Sequence, residues 1–328
     1  MKSQFRTATL STVALGMLCA APVTLAAEPA YPTKAIRIIV NSPPGAPPDV
    51  VARVVGERLG AALGQPVVVE NRPGGMGTIA LSAVAKANPD GYTLGTMSPP
   101  HTVAPALLSR LSYDTQRDLV AVTQMTRASL VLVVRSESSI QSVADLIATA
   151  KAHPGLLKYS SAGIAIPSHL AGELLEQRAG ISCLHVPYTG GPASMTALLG
   201  GQVDFTFATG VTAVSGVHSG RLRALATTGP ARDPVFPEVA TFAELGFTGF
   251  DVRDWQGLVA PAGTPAPVVE RIALEVRKTL EQADVRQHLA RLGLDAVTDS
   301  SPAMFGDLIR SELSRWSSFV RETGIHAN

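Results

Sequence analysis

The chain contains two cysteines, Cys19 and Cys183. Cys19 falls in a leader-like stretch, so a processed chain keeps only Cys183 and can form no internal disulfide. Cys183 lies in the apolar run "ISCLHV" (181–186), the setting of a buried structural thiol. Aromatic residues make up 5% of the 328 positions and apolar residues 46%, and the sequence is rich in Ala, Gly and Val. That balance suits tightly packed α/β layers better than an all-β sandwich. Neither sign of charge is in excess, with 27 basic and 26 acidic residues. Without Lys2 and Arg6 the basic count is 25, a net of −1, which gives no footing for nucleic acid or an anionic membrane surface. The seven histidines show no HExxH or comparable metal spacing, and no G-x-S-x-G elbow occurs. Ser168 and His169 are adjacent, and neighbours on a helix do not face each other. No metal and no cofactor is expected.

Residues 1–26 read as a cleaved secretory signal: Lys2 and Arg6, an apolar stretch from about Leu10 to Val23, then the small-x-small ending Thr24-Leu25-Ala26. The alternative, a membrane anchor, needs about 20 apolar residues, more than this stretch offers. A lipoprotein signal would use Cys19, but Leu18 precedes it where a small residue is needed. The expected location is periplasmic, with Ala27 first in the mature chain.

Periodicity gives strand 35–40, helix 49–63, strand 66–70, helix 77–87 and strand 92–97. A second series repeats the order: strand 157–161, helix 168–178, strand 182–186, helix 192–199 and strand 203–207. Loop chemistry repeats as well. "SPPGAPPD" corresponds to "SAGIAIPS" (161–168), "NRPGGMG" (71–77) to "YTGGPAS" (188–194), and "GTMSPPHT" (95–102) to "ATGVTAVS" (208–215). The fold expected is α/β, two βαβαβ units with a cleft between them. Segments 129–140 and 250–265 read as crossings between the units, and the tail as helices over 266–285 and 301–324. The crossings divide the chain into a leader 1–26, a first domain of 27–128 plus 253–328, and a second of 129–252.

In parallel sheets ligands sit where strand carboxyl ends run into helix starts, whose N–H groups are unpaired and carry partial positive charge. The four entry loops, 41–48, 71–76, 161–167 and 188–192, hold one charged residue, Arg72. A cleft lined in this way suits a small anion such as a carboxylate. Glycines and prolines also simply close turns, but their recurrence in both halves favours binding. "GGMGTIA" (74–80) imitates a dinucleotide fingerprint weakly, and Asp90 is too near to be its ribose acid.

The ordered segments "YPTKAIRIIVNSPPG", "LGQPVVVENRPGG", "NPDGYTL", "PSHLAGEL", "HVPYTGG", "LLGGQVD", "GRLRALATT" and "LVAPAGTPAPVV" lie between Tyr31 and Val269, and the likeness they carry runs on to about Val320. Together they resemble the solute-binding receptors of tripartite tricarboxylate transporters, the Bug family. The resemblance implies a periplasmic two-domain clamp of the type II binding-protein class. It also implies a small organic acid as ligand, integral-membrane transporter subunits as partners, a monomer, and no enzyme activity. By position it implies a ligand site at Pro43, Pro44, Gly45, Ala46, Pro47 and Pro48, at Ser161, Ala162, Gly163 and Ser168, and at Tyr188, Thr189, Gly190 and Gly191. Ser98 and Thr209 join on the geometry of the repeat, and Asp254 on its place at the second crossing, where Trp255 either caps the cleft or enters the core. This chain departs from the family at Ala46-Pro47-Pro48, where a Gly and a Ser/Thr pair are usual, and at Thr189, where a lysine is common. The competing readings are a secreted α/β enzyme on a small carboxylate, and a sensor subunit that presents ligand to a membrane kinase.

Overall fold

The apolar run Ile36–Val40 makes the strand that begins the first half, and the shorter, more polar Lys158–Ser161 the strand that begins the second series. The computed structural model describes residues 31–325. The leader 1–26, with Cys19 and the expected first mature residue Ala27, lies outside the described residues. The first half runs β1 (Ile36–Val40), α1 (Pro47–Leu63), β2 (Val67–Asn71), a 3-10 turn (Gly75–Gly77), α2 (Thr78–Ala85), β3 (Thr93–Met97) and α3 (Pro100–Leu107). β1 lies parallel between β2 and β3. Helix α1 starts on two prolines, whose missing N–H groups have no helical partner in any case, and stops at left-handed Gly64.

The second half repeats the plan after β4 (Leu119–Arg135) and α4 (Val143–Ala152), with β5 (Lys158–Ser161), α5 (Pro167–Ala179), β6 (Leu184–Pro187), α6 (Gly191–Leu199), β7 (Phe205–Thr209), α7 (Gly210–His218) and β8 (Leu222–Thr227). β5 lies parallel between β6 and β7. The chain returns through β9 (Arg253–Pro261) and ends in α8 (Ala266–Glu281), α9 (Ala283–Arg291), β10 (Asp295–Ala296) and α10 (Pro302–Thr323).

The main sheet order is β2-β1-β3-β9-β4-β7-β5-β6, with β8 and β10 also paired to β4. β4 belongs to both halves, and β9 pairs with β3 and with the early part of β4. The early part of β4 pairs with β9, from Leu119↔Pro261 to Ser129↔Arg253, and its later part pairs with β7 and β8. The expected crossing at 129–140 is therefore the second part of a 17-residue strand that begins at Leu119. Two register shifts, at Ala121/Thr123 and Gln124/Thr126, broke the alternation that would have announced it. The helix expected over 266–285 is two helices parted at extended Gln282.

Trp255 does not cap a cleft. It is buried in the cluster of Leu81, Val84, Met97 and Phe305, meeting Phe305 edge-on. A second cluster around Tyr159, Phe205 and Phe207 also takes in Val103, Trp316 and Phe319, and Met76 packs against it. Shared clusters of this kind make residues from Pro32 onward one compact unit.

Candidate functional site

Strand register sets the frame. β3 runs antiparallel to β9 and ends at the pair Met97↔Gly257. β7 runs antiparallel to β4 and ends at Leu130↔Thr209. Because β4 is in turn antiparallel to β9, the carboxyl ends of β3 and β7 point at each other. On β4 they are separated by the stretch from Gln124, level with Gly257, to Leu130. Six residues of strand span about 20 Å, room for two facing sets of loops and a small ligand. A surface cavity of about 730 Å³ elsewhere is lined by Tyr113, Arg117, Arg310 and Ser314 and touches none of the predicted site residues.

The first loop is braced from below. Asp49, 2% exposed in the first turn of α1, accepts the Gly45 N–H at 2.8 Å, Asn71 Nδ2 at 2.8 Å and Arg53 Nε at 3.0 Å. Asn71 also donates to the Ser42 carbonyl at 2.9 Å. Burial alone would raise the Asp49 carboxyl, but the bonds from Arg53, Gly45 and Asn71 prevail and hold it below its usual range. Gly45 has φ +82°, a conformation that other residues adopt at a cost. The stiffness has a chemical consequence. Pro43, Pro44, Pro47 and Pro48 have no N–H, Gly45 donates to Asp49, and Ala46 donates to the Pro43 carbonyl at 3.3 Å. Residues 43–48 thus present a largely exposed apolar wall, with their N–H groups already spent.

Beside this wall lies a buried polar knot. Asn41 donates from Nδ2 to Ser98 Oγ at 3.0 Å and accepts from Thr96 Oγ1 at 2.9 Å. His101 sits beneath, fully buried, and burial pushes its imidazole down to about 4. A Cβ on Gly77 would come within 2.4 Å of His101 Nε2, so only glycine fits there. Ser98 is in place at the strand end, with its hydroxyl engaged by Asn41.

In the second half the loops are tied to one another and to buried side chains. Ser168 Oγ accepts the Ala162 N–H, and Gly190 donates to the Ala162 carbonyl, tying loops 161–168 and 188–191 together. Ser161 Oγ donates to the Gly163 carbonyl and lies 2.7 Å from His185 Nε2. His185 stacks on His169 at 4.0 Å, and His169 Nδ1 accepts the N–H of Ala165, a buried non-glycine at φ +60°. His169 Nε2 faces Glu173, which also accepts the Tyr159 hydroxyl at 2.6 Å. Burial pushes His185 down to about 4, the Glu176 carboxyl up to about 7 and the Cys183 thiol up to about 12. The Tyr188 phenol turns away to Gln202, and Thr189 is exposed.

Helices α6 and α7 start side by side, since a Cβ on Gly191 would lie 3.6 Å from Thr212 Oγ1. No side chain caps either start. Among the described helices only α4 and α10 have a side-chain cap, Ser142 and Ser301, so what sets α6 and α7 apart is that their starts adjoin. Thr209 Oγ1 bonds Thr212 Oγ1 at 2.8 Å rather than a backbone N–H. Asp254 stands between the two sets of strand ends, paired with Ala128, half-buried, its carboxyl pushed by burial up to about 6. Sequence reasoning missed Asn41, Asp49, Asn71 and His101. The first and third of these are polar residues ending apolar strand runs, the one signal that could have found them.

A family model described as tripartite tricarboxylate transporter family receptor matches residues 51–325. The BugT protein of Bordetella pertussis is 36% identical over 90% of this chain and 90% of its own. A Rhodopseudomonas palustris protein solved with adipate has TM-score 0.77 and 30% identity, over 90% of this chain and 99% of that one. MatC of the same organism, solved with bound malate, has TM-score 0.75 and 33% identity, over 88% and 100%. These neighbours share the two-domain α/β binding-protein architecture that the register describes, and the chain belongs to the tripartite tricarboxylate transporter receptor family.

Proposed function

We propose that the chain is a periplasmic receptor that closes on a small organic acid and hands it to integral-membrane transporter subunits. Receptors return their ligand unchanged, which sets aside the enzyme reading. One observation carries the site: the uncapped starts of α6 and α7, adjoining at Gly191 and Thr212, face the carboxyl end of β3 across the crossing strands. Each such start contributes roughly 0.3–1 kcal/mol toward an anion, and up to about 2 when partly buried. The carboxylate of the ligand belongs there, and the Pro43–Pro48 wall faces the rest of it. That arrangement favours one carboxylate on an otherwise apolar body over a polyacid. Adipate and malate, bound by the two neighbours, define the chemical range from which the search starts.

The domain boundaries proposed are 128/129 and 252/253, where the register of β4 passes from β9 to β7. Export with removal of residues 1–26 follows from the leader, and a secreted chain whose mass begins at Ala27 checks it. The central test is a thermal-shift screen over carboxylates. A ligand at 100 times its dissociation constant adds about 2.7 kcal/mol. Stabilisation by a neutral sugar or amide and by no organic acid would overturn the reading.

A further inference from the structure

Two imidazoles lie under the first entry loop of the second half. His169, in the first turn of α5 and 4% exposed, stacks on His185 of β6 at 4.0 Å. Both of its ring nitrogens are engaged. Nε2 faces the Glu173 carboxylate at 3.4 Å, and Nδ1 accepts the Ala165 N–H at 3.0 Å. A neutral ring satisfies both partners only with its proton on Nε2, so a second proton has only Nδ1 to go to. Ala165 is fully buried and is one of two non-glycine residues with left-handed φ, here +60°, among the described residues. The bond from its N–H to His169 tethers that costly conformation. The neighbours of Ala165 are bonded in turn. Ala162 N–H donates to Ser168 Oγ, Ser161 Oγ to the Gly163 carbonyl, and Gly190 N–H to the Ala162 carbonyl, which ties loops 161–168 and 188–191 to this one position.

The surroundings direct the proton to one ring of the pair. Burial works to raise the Glu173 carboxyl, but the bonds from His169 and Tyr159 prevail and hold it below its usual range, so a negative charge stays beside His169. Burial, with His169 adjacent, pushes His185 down to about 4. The other titratable groups around the pair are Tyr159 and Cys183, both raised by burial and protonated throughout, Asp204, which acts on Cys183, and Glu176, pushed by burial up to about 7. With a proton on Nδ1, two donors face each other. The Ala165 N–H then loses its acceptor in a buried place, and its strained backbone loses its tether. We propose that acid opens this receptor: a proton taken up at Nδ1 of His169 unseats Ala165 and loosens loops 161–168 and 188–191, so that a bound carboxylate is released. The inference rests on the carboxylate-receptor reading and adds a release step to it.

The test begins on the ligand-free protein. Between pH 7.5 and 5.5, NMR should show the His169 ring taking up a proton and the exchange protection of the Ala165 amide falling with the same midpoint. His169→Asn places an amide oxygen near the position of Nδ1, where it accepts the Ala165 N–H and cannot be protonated, so its Ala165 amide should stay protected. Calorimetry with adipate and malate, the acids bound by two neighbours, gives the second readout. At pH 5.5, one unit below the ordinary imidazole value, the affinity of the native protein should have fallen about tenfold further than that of His169→Asn. The variant keeps Asp254, Glu176 and the titration of the probe itself, so only the difference between the two proteins counts. If neither acid binds, or the variant does not fold, the native amide measurement decides alone. An Ala165 amide that stays protected while His169 titrates, or a His169 that takes up no proton in this range, overturns the gate. Equal losses of affinity in the two proteins overturn it as well and leave the carboxylate receptor standing. Failure of every carboxylate in the thermal-shift screen defeats the receptor reading, and release with it.

Discussion

Single residues set the acid–base character of the molecule, and they do so in opposite directions. His101 and His185 are held neutral by burial, down to about 4 from an ordinary 6.5. The unfolded chain binds their protons first, so their contribution to stability is lost as pH falls from 6.5 towards 4. Glu176 is raised to about 7, so it binds its proton more tightly when folded, and its contribution is lost as pH rises from 4.5 through 7. Over pH 5 to 6.5 the two effects oppose. Glu176→Gln removes one of them and should steepen the rise of stability with pH, by about 1 kcal/mol across the window, since each pKa unit corresponds to about 1.4. Urea midpoints at pH 5 and 6.5 check this, and parallel profiles for the two proteins would contradict it. None of these roles is legible in the sequence. His169 reads as an isolated histidine beside Ser168, and only the fold brings it onto His185 and under Ala165. Asp254 was visible as a charge at a crossing, but the pairing of its neighbour Arg253 with Asp251 was not.

At the scale of elements, the parallel strands and their helices were legible because apolar runs and Gly/Pro turns agree in both halves. The long β4 was not, because two register shifts interrupt its alternation, and helix α7 was hidden in "GVTAVSGVH", where two glycines weaken the helical pattern. The entry to α1 was read correctly as rigid. Its rigidity comes from Asp49 and Asn71 as much as from proline, and it leaves no N–H group among 43–48 uncommitted. The double change Pro47→Ser, Pro48→Thr should therefore keep α1 intact by circular dichroism, since Ala46 remains the cap and Asp49 the brace. It returns two N–H groups to the helix start. If these reach the ligand, affinity for a dicarboxylate should rise by roughly 1.5–3 kcal/mol, while an aromatic monocarboxylate gains little. Calorimetry on both ligands decides, and unchanged affinity for both would assign the prolines to structure alone.

For the whole molecule, the expectation is closure about the two strands that cross between the halves. The hinge is expected near 126–131 and 250–256, where Ser129 pairs with Arg253. Small-angle scattering should show a smaller radius of gyration with a saturating carboxylate than without, and equal radii would mean that the clamp is closed before ligand arrives. The same pairing has a consequence for how such receptors diversify. Segment 129–252, the proposed second domain, begins and ends beside the paired positions Ser129 and Arg253, so it would be one uninterrupted cassette with its two ends side by side. A gene needs two crossovers, at the codons for Ala128 and Arg253, to exchange that cassette for a relative's. Such a hybrid would inherit the uncapped α6 and α7 starts from one parent and the proline wall with Asp254 from the other, and new ligand combinations could arise in a single recombination event.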